Sequence, residues 1–206
     1  MVVLFDFDGV IADTESQYTE FWNERGMEYL GMKDFGLTIK GQTLKQITGK
    51  YFAGRDKDLE KLLPQLDEFE RNMSYDYIPG VLDFIKGLRR AGIRTAIVTS
   101  SNNDKMAIAF RAHPELPGLM DAVITSEDFS RSKPDPECFI KGMEVLGGCP
   151  EDTIVFEDSI HGINAGRASG AMVIGLATTN EREVITPLCH KVIDDFTGLT
   201  AEAVQL

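Results

Sequence analysis

Two aspartates stand one residue apart, directly after an apolar run at the start of the chain. Residues 2–5 are Val, Val, Leu and Phe, and Asp6, Asp8 and Gly9 follow. Two carboxylates this close are costly to bury unless they are paired or bind a cation, and their hard oxygens suit Mg²⁺. The alternative is that both are turn residues, one of which caps the next element. The pair alone does not separate a metal site from a turn.

The elements predicted to position this pair form a parallel sheet. The uninterrupted apolar run at residues 2–5 predicts a central strand that is covered on both faces. Helical patterns, such as those at residues 137–146 and 160–169, lie between further apolar runs. These runs predict strands at residues 95–98, 122–124, 153–156 and 172–176, with a shorter candidate at 192–193. The alternation predicts a Rossmann-like, doubly wound α/β sheet with helices on both faces.

The stretch from residue 15 to residue 77 interrupts this alternation. Helical periodicity runs through it, for example at residues 37–52 and 59–69, and the stretch contains no convincing strand pattern. Its apolar and aromatic faces are expected to form a core of its own. We therefore expect an all-α insert, residues 15–77, in an α/β core domain made of residues 1–14 and 78–206.

Polar residues follow the second, third and fourth predicted strands. Ligands of such sheets bind beyond the carboxyl ends of the strands, so these positions are candidates for a site. Taken singly, each group could cap a helix, form a turn or lie on the surface. Their coincidence at one edge of the sheet favours a functional site. They are Thr99, Ser100, Ser101 and Asn102, then Lys133 and Pro134, and finally Glu157 and Asp158.

Composition excludes one large class of partner. The chain has 206 residues, of which 43% are hydrophobic, which is enough for one domain or one domain plus an insert. Its formal net charge is −12, and nucleic-acid affinity depends on cationic contacts to phosphate, so no nucleic-acid partner is expected. A small phosphorylated substrate is still compatible, because a bound metal can dominate the local field.

The cysteines and the apolar runs indicate the cellular compartment in which the protein is expected. Cys138, Cys149 and Cys189 are scattered, with no CxxC pair, which is typical of reduced thiols in a cytosolic protein. Asp6 cuts the first apolar run, so no signal peptide is expected, and no run approaches the roughly 20 residues of a membrane span. We expect a cytoplasmic protein without a membrane partner, either a monomer or a weak homodimer.

Taken together, the motifs resemble those of the haloacid dehalogenase superfamily of phosphotransferases. The first motif is matched by Asp6-Phe7-Asp8-Gly9-Val10, the second by Thr99, the third by Lys133-Pro134 and the fourth by Glu157-Asp158. The resemblance covers essentially the whole core, and the helical insert sits where the family's first type of cap domain sits. The nearest subgroup is that of the β-phosphoglucomutase-like phosphatases.

The resemblance implies a role for each motif residue. Asp6 would be the nucleophile that forms an aspartyl phosphate, and Asp8 the general acid and then the base. Mg²⁺ would be held by Asp6, the Asp8 main-chain carbonyl and Asp158, with Glu157 as an outer or water-mediated ligand. The remaining phosphoryl oxygens would be held by Thr99 and Lys133.

The substrate-binding set is wider than these motifs. The same resemblance implies contacts from the loop after the second strand, and residues of the insert are expected to contact the leaving group. The substrate-binding residues expected in addition to Thr99 and Lys133 are Ser100, Ser101, Asn102, Tyr18 and Lys40. A small phosphorylated metabolite, such as a sugar phosphate, is the expected substrate.

Several functions share this core. A Mg²⁺-dependent phosphatase is the expected one, and a β-phosphoglucomutase is the alternative. Mutases that resemble this chain carry a histidine at the position of Tyr18 and an arginine at that of Leu44, which disfavours isomerisation here. A dehalogenase would not need the acids Glu157 and Asp158. A binding module without activity is disfavoured because every catalytic position holds a competent residue.

Overall fold

The computed structural model describes residues 1–204, and a six-stranded parallel sheet forms its centre. The strand order is β3-β2-β1-β4-β5-β6, and all neighbouring strands are parallel. The strands are β1 (Val2–Phe5), β2 (Arg94–Val98), β3 (Ala122–Ile124), β4 (Thr153–Glu157), β5 (Met172–Leu176) and β6 (Lys191–Ile193). The predicted doubly wound α/β fold class is thus confirmed, and the predicted strands lie within a residue of those observed.

Helices cover both faces of the sheet and also form the insert. Within residues 1–204, α1 to α4 follow β1, and the later helices connect successive strands. They are α1 (Glu15–Leu30), α2 (Phe35–Ile39), α3 (Leu44–Tyr51), α4 (Asp56–Asn72), α5 (Val81–Arg90), α6 (Asn103–Ala112), α7 (Leu116–Leu119), α8 (Glu137–Leu146), α9 (Ile160–Ala168) and α10 (Arg182–Ile185). None of them is both long and apolar enough to cross a membrane.

Strand β1 lies at the centre because every one of its side chains is apolar and buried. Successive side chains of a strand point to opposite faces. Val3 and Phe5 accordingly join the core beneath α5 and α6, whereas Val2 and Leu4 join the core beneath α8 and α9. One strand therefore supports both layers, and the residue that follows it, Asp6, is fixed from both sides.

The helices α1–α4, here called the helical insert, have a core of their own. Gly26 allows α1 and α2 to touch, since a Cβ there would lie 2.2 Å from the Cβ of Phe35. Two linkers join the insert to the sheet and run side by side. The Asp13 amide donates to the Asp76 carbonyl over 2.8 Å, and the Ile78 amide to the Ile11 carbonyl over 2.9 Å. The insert thus meets the core through a narrow two-stranded connection.

The helical segment expected at residues 37–52 is in fact two helices, α2 and α3. The chain turns between them at Gly41, whose φ of 75° favours glycine. A Cβ at Gly41 would lie 3.0 Å from the Ser159 hydroxyl, so this turn approaches the core closely. Thr43 then caps α3 in a capping box with Gln46. The break therefore places a turn of the insert against the loop after β4.

We predict that Phe156→Ala lowers the free energy of unfolding by about 3–5 kcal/mol, the range found for a buried phenylalanine. Phe156 is fully buried, stacks on Phe5 at 5.2 Å and meets the edge of Phe84 at 5.5 Å. Denaturant unfolding measures the change. Val184→Ala, at a side chain that is 46% exposed, is the control and should change stability by less than about 0.5 kcal/mol. A loss below about 1 kcal/mol at Phe156 would contradict this account of the core.

Candidate active site

The carboxyl ends of β1, β2 and β4 meet beside the helical insert and border a cavity of about 740 Å³. Asp6 comes directly after β1, Thr99 directly after β2 and Asp158 directly after β4. All three line the cavity, as do Asp8 and several side chains of the insert. Parallel strands thereby bring together residues that are far apart in the sequence.

A buried lysine joins two of the acids. Lys133 is 1% exposed, and its Nζ lies 3.1 Å from Oδ1 of Asp6 and 2.7 Å from Oε1 of Glu157. Burial lowers the pKa of Lys133, but the carboxylates of Asp6 and Glu157 outweigh this and raise it above the ordinary value. Burial raises the pKa of Asp6 to about 8, although Lys133 opposes that shift. Lys133 therefore stays charged and faces the Asp6 carboxyl.

Glu157 uses its carboxylate almost entirely on protein donors. Oε1 accepts from Lys133, and Oε2 accepts from the amides of Asp158 and Ser159, at 2.9 and 2.8 Å, and from the Ser159 hydroxyl. The amide of Gly162 donates in turn to the Ser159 hydroxyl at the start of α9. Glu157 thus orients both Lys133 and the loop that carries Asp158.

Asp158 has the opposite character. Its side chain is almost fully buried, and within residues 1–204 neither of its carboxylate oxygens has a hydrogen-bond partner. Burial and the nearby carboxylates of Glu157 and Glu15 raise its pKa well above the ordinary value. Oxygens of Asp6, Glu157 and Asp158 lie within 4.8 Å of one another. A cluster of buried carboxylates that includes one acid without donors fits a hard divalent cation such as Mg²⁺.

Asp8 is held by three donors. Its Oδ1 accepts from the Thr14 hydroxyl at 2.5 Å, and its Oδ2 accepts from the Ser101 hydroxyl at 2.9 Å. The Nζ of Lys105 lies 2.5 Å from the same Oδ2. Burial raises the pKa of Asp8, but the Lys105 ammonium and the hydrogen bonds outweigh it and lower the pKa below the ordinary value. Asp6 and Asp8 are therefore shifted in opposite directions.

Lys105 and Thr14 are the two contacts of Asp8 that the motifs did not indicate. Thr14 stands just before α1, yet its hydroxyl donates to Asp8 and makes no cap hydrogen bond. Lys105 lies next to the buried Met106 on α6 and is itself only 5% exposed. Its position beside Met106, on the buried face of a helix, was the one signal in the sequence. A lysine there needs a buried acid as its partner.

The loop after β2 presents the remaining predicted core residues. Thr99 is 1% exposed, and its hydroxyl accepts from the Ser101 amide at 3.0 Å. Within the described chain the Ser100 hydroxyl is buried and has no partner. Asn102 lines the cavity, and its side-chain oxygen caps α6 by accepting from the Lys105 amide. Thr99 and Ser100 are therefore the residues of this loop best placed to bind an added oxyanion.

Tyr18 and Lys40, the residues predicted from the insert, both line the cavity. The Tyr18 hydroxyl donates to Glu70 at 2.8 Å, and burial together with Glu70 raises the pKa of this phenol well above its ordinary value. The Nζ of Lys40 lies 3.2 Å from Oε2 of Glu15. Both side chains are thus paired within the insert itself. Leu44 lines the same cavity and offers no polar group.

Comparison with known proteins gives a consistent result. The family model described as "Haloacid dehalogenase-like hydrolase" matches residues 3–176. A protein of Saccharomyces cerevisiae named "Probable pseudouridine-5'-phosphatase" is 32% identical, over 96% of this chain and 88% of its own. A β-phosphoglucomutase of Mycobacterium bovis is 25% identical, over 85% of this chain and 80% of its own.

A solved structure supports the fold. It is that of an HAD hydrolase of family IA, variant 3, from Entamoeba histolytica, which matches with a TM-score of 0.82 and 24% sequence identity. The match covers 98% of this chain and 96% of the other. At that level of identity the likeness concerns the arrangement of the chain alone.

We predict that Gly162→Ala destabilises the protein by about 1–3 kcal/mol, the cost of overpacking. A Cβ at Gly162 would lie 1.7 Å from Oε1 of Glu157, and the donors on that carboxylate prevent it from moving aside. Gly87→Ala, in helix α5, is the matched control, since a Cβ there meets nothing within 4 Å. It should leave stability unchanged or raise it by up to about 1 kcal/mol. Equal unfolding midpoints for the two variants would contradict the prediction.

Proposed function

This chain belongs to the haloacid dehalogenase-like hydrolase family, and from that premise we propose that it is a Mg²⁺-dependent phosphatase of a small phosphomonoester. A sugar phosphate is the substrate class we favour, with an aspartyl phosphate as the intermediate. The observation that carries the proposal is the meeting of Asp6, the Lys133 ammonium and the Asp158 carboxylate in one buried cluster. The yeast relative, named as a phosphatase, supports the same class of reaction.

The proposed first step is attack of an Asp6 carboxylate oxygen on phosphorus. A bond forms between that oxygen and phosphorus, the bond from phosphorus to the alcohol oxygen breaks, and a proton from Asp8 neutralises the leaving oxygen. In the second step Asp8 takes a proton from water, whose oxygen attacks phosphorus and releases Asp6. A carboxylate nucleophile suits this sequence because it divides one difficult displacement into two easier ones.

Two neighbours of Asp6 would orient the phosphoryl group. Lys133 carries a charge that Glu157 holds in place, and Thr99 is buried at the end of β2, the strand next to β1. The Ser100 hydroxyl, which has no partner among residues 1–204, would add a neutral donor, as would main-chain amides of the same loop. These groups are fixed by the sheet before the substrate arrives, so little reorganisation is needed during transfer.

The proposed ligands of Mg²⁺ are the carboxylates of Asp6 and Asp158 and the main-chain carbonyl of Asp8. Glu157 would act through water, because its own oxygens are already engaged by protein donors. When bound, the ion offsets the repulsion between the Asp6 carboxylate and the phosphoryl dianion. The unpartnered oxygens of Asp158, among the residues described, are the feature that supports this choice.

Isomerisation is the alternative, and the cavity does not favour it. A mutase must hold the far phosphate of a bisphosphate, for which a bidentate arginine is well suited. Leu44 lines the cavity at the position that the arginine of mutases would match, and none of the described lining residues is an arginine. Tyr18 stands in place of the mutase histidine, and its raised pKa keeps the phenol neutral. We propose hydrolysis for these reasons.

The proposed setting is the cytoplasm, with a small metabolite and no nucleic acid as partner. The three free cysteines support a cytoplasmic setting, and the acidic composition supports the absence of a nucleic-acid partner. We also propose that the helical insert acts as a cap that excludes water during transfer and contacts the leaving group.

We predict that phosphate release from a panel of sugar phosphates requires Mg²⁺ and stops in excess EDTA. Ca²⁺ should substitute poorly, because it prefers more ligands at longer distances. Undiminished turnover in EDTA would contradict the metal assignment.

In the same panel, β-glucose 1-phosphate with a trace of the 1,6-bisphosphate separates hydrolysis from isomerisation. Glucose 6-phosphate that forms faster than free phosphate would favour the mutase.

We predict that Asp6→Asn lowers turnover by about four decades or more while the protein stays folded. The amide keeps the shape of the side chain but is not a nucleophile. Rapid-quench or steady-state phosphate release measures the change, and circular dichroism checks the fold. Asp83→Asn, at an exposed acid on α5, should retain full activity. A folded Asp6→Asn protein with near-normal phosphate release would exclude Asp6 as the nucleophile.

A further inference from the structure

A second buried lysine lies at the active site, and it has no role in the reaction steps proposed above. Lys105 is 5% exposed, and its Nζ is 2.5 Å from Oδ2 of Asp8, the proposed proton-transfer residue. Burying an ammonium costs free energy that only close partners offset. The lysine and its partner stand apart from the pair of Lys133 with Asp6 and Glu157. Each aspartate of the first motif therefore has a lysine of its own.

Besides Asp8 and the ring of Phe7, whose centre lies 5.9 Å from Nζ, Lys105 has a neighbour in the helical insert. Its Nζ lies 4.3 Å from the centre of the Tyr18 ring, within the range of a cation–π contact. The Tyr18 hydroxyl donates to Glu70, so α1 and α4 of the insert are tied together at this point. Lys105 itself belongs to α6 of the core. The ammonium thus stands where the core, two insert helices and Asp8 meet.

Asp8 also has a partner on the linker to the insert. Thr14, the last residue before α1, donates to Oδ1 while Lys105 and Ser101 hold Oδ2. The carboxylate is therefore fixed by the core on one oxygen and by the entry to the insert on the other. A change in the position of the insert would move Thr14 and Tyr18 together. It would thereby change a contact of Asp8 and a contact of Lys105.

A direct phosphate contact is the less suitable role for Lys105. Its ammonium is already engaged with Asp8 and covered by the Tyr18 ring, whereas Lys133 faces the nucleophile itself. If Lys105 served only to balance buried charge, it would not need to contact both the proton-transfer residue and the helical insert. The geometry favours a role exerted through Asp8.

We propose that Lys105 is a positioning residue that holds the Asp8 carboxylate toward the leaving group and, through the Tyr18 ring, ties that position to the helical insert. The inference rests on the proposed function, since it concerns the step in which Asp8 protonates the leaving oxygen. Positioned proton transfer contributes about 10²–10⁴ to a rate, so partial misplacement should cost a measurable share of that.

The test compares two substrates of similar shape, p-nitrophenyl phosphate and phenyl phosphate, on the full chain. The nitrophenolate leaves without a proton, whereas the more basic phenolate benefits from one. The quantity compared is kcat/KM, which covers the steps up to departure of the alcohol and leaves out the later attack of water. The variants are Lys105→Met, which removes the charge and keeps the stem, and Lys105→Arg, which keeps the charge. Lys141→Met, at an exposed lysine of α8, is the control.

For Lys105→Met we expect kcat/KM to fall about tenfold or more with phenyl phosphate and less than about threefold with p-nitrophenyl phosphate. Lys105→Arg should recover part of the loss, and the control should match the unsubstituted protein. The inhibition constant of inorganic phosphate should change by less than about threefold, because Thr99 and Lys133 stay in place. Equal losses with both substrates, or no loss, would overturn the inference.

A second variant covers the case in which Lys105→Met does not fold. Tyr18→Leu removes the ring over the ammonium and leaves the lysine, so it should show the same substrate-dependent loss in weaker form. An equal effect on both substrates there would also count against the inference. If the unsubstituted protein with Mg²⁺ releases phosphate from neither compound nor from any sugar phosphate, it is the proposed function that fails.

Discussion

The excess of buried negative charge at one edge of the sheet is the constraint on which the site depends. Asp6, Glu157 and Asp158 lie within 4.8 Å of one another, and Lys133 is the one cation of the described chain in contact with Asp6 and Glu157. Three carboxylates against one ammonium are stable out of water only if protons or a further cation balance them. The charge count therefore requires protons or a cation at this edge of the sheet, and the proposed Mg²⁺ would meet that requirement.

The fold meets this constraint by giving the acids different partners. Glu157 accepts from Lys133 and from amides at the start of α9, and these donors offset the cost of burying its carboxyl group. Gly162 allows α9 to begin that close, because any Cβ there would occupy the place of the carboxylate. Asp158, on the same loop, is left without donors among the described residues. One acid orients the lysine, and the next suits the proposed metal ligand.

Much of this arrangement could be predicted, because it follows from strand ends. A four-residue apolar run followed by acid at Asp6 predicts both the central strand and the place of the first acid, and the same logic locates Thr99 and Glu157. Lys105 could not be found in this way, since a lysine on a helix ordinarily lies in solvent and only the packing of α6 against the insert buries it. Glycine and polar residues at positions 40–43 are typical of a turn, but the contact of that turn with Ser159, 118 residues later in the chain, could not be predicted from them.

The two lysines explain how two aspartates so near in sequence can have different tasks. Burial dominates at Asp6 and raises its pKa, whereas Lys105, Thr14 and Ser101 outweigh burial at Asp8 and lower its pKa. The lowered pKa favours the ionised form of Asp8, the form in which it would take a proton from water in the proposed second step. At Asp6 the proposed cation would replace the proton and so prepare the proposed nucleophile. At Asp8 the holding groups include a residue at the entry to the insert, so its surroundings depend on where the insert lies. The two aspartates thus differ because each faces a different part of the fold.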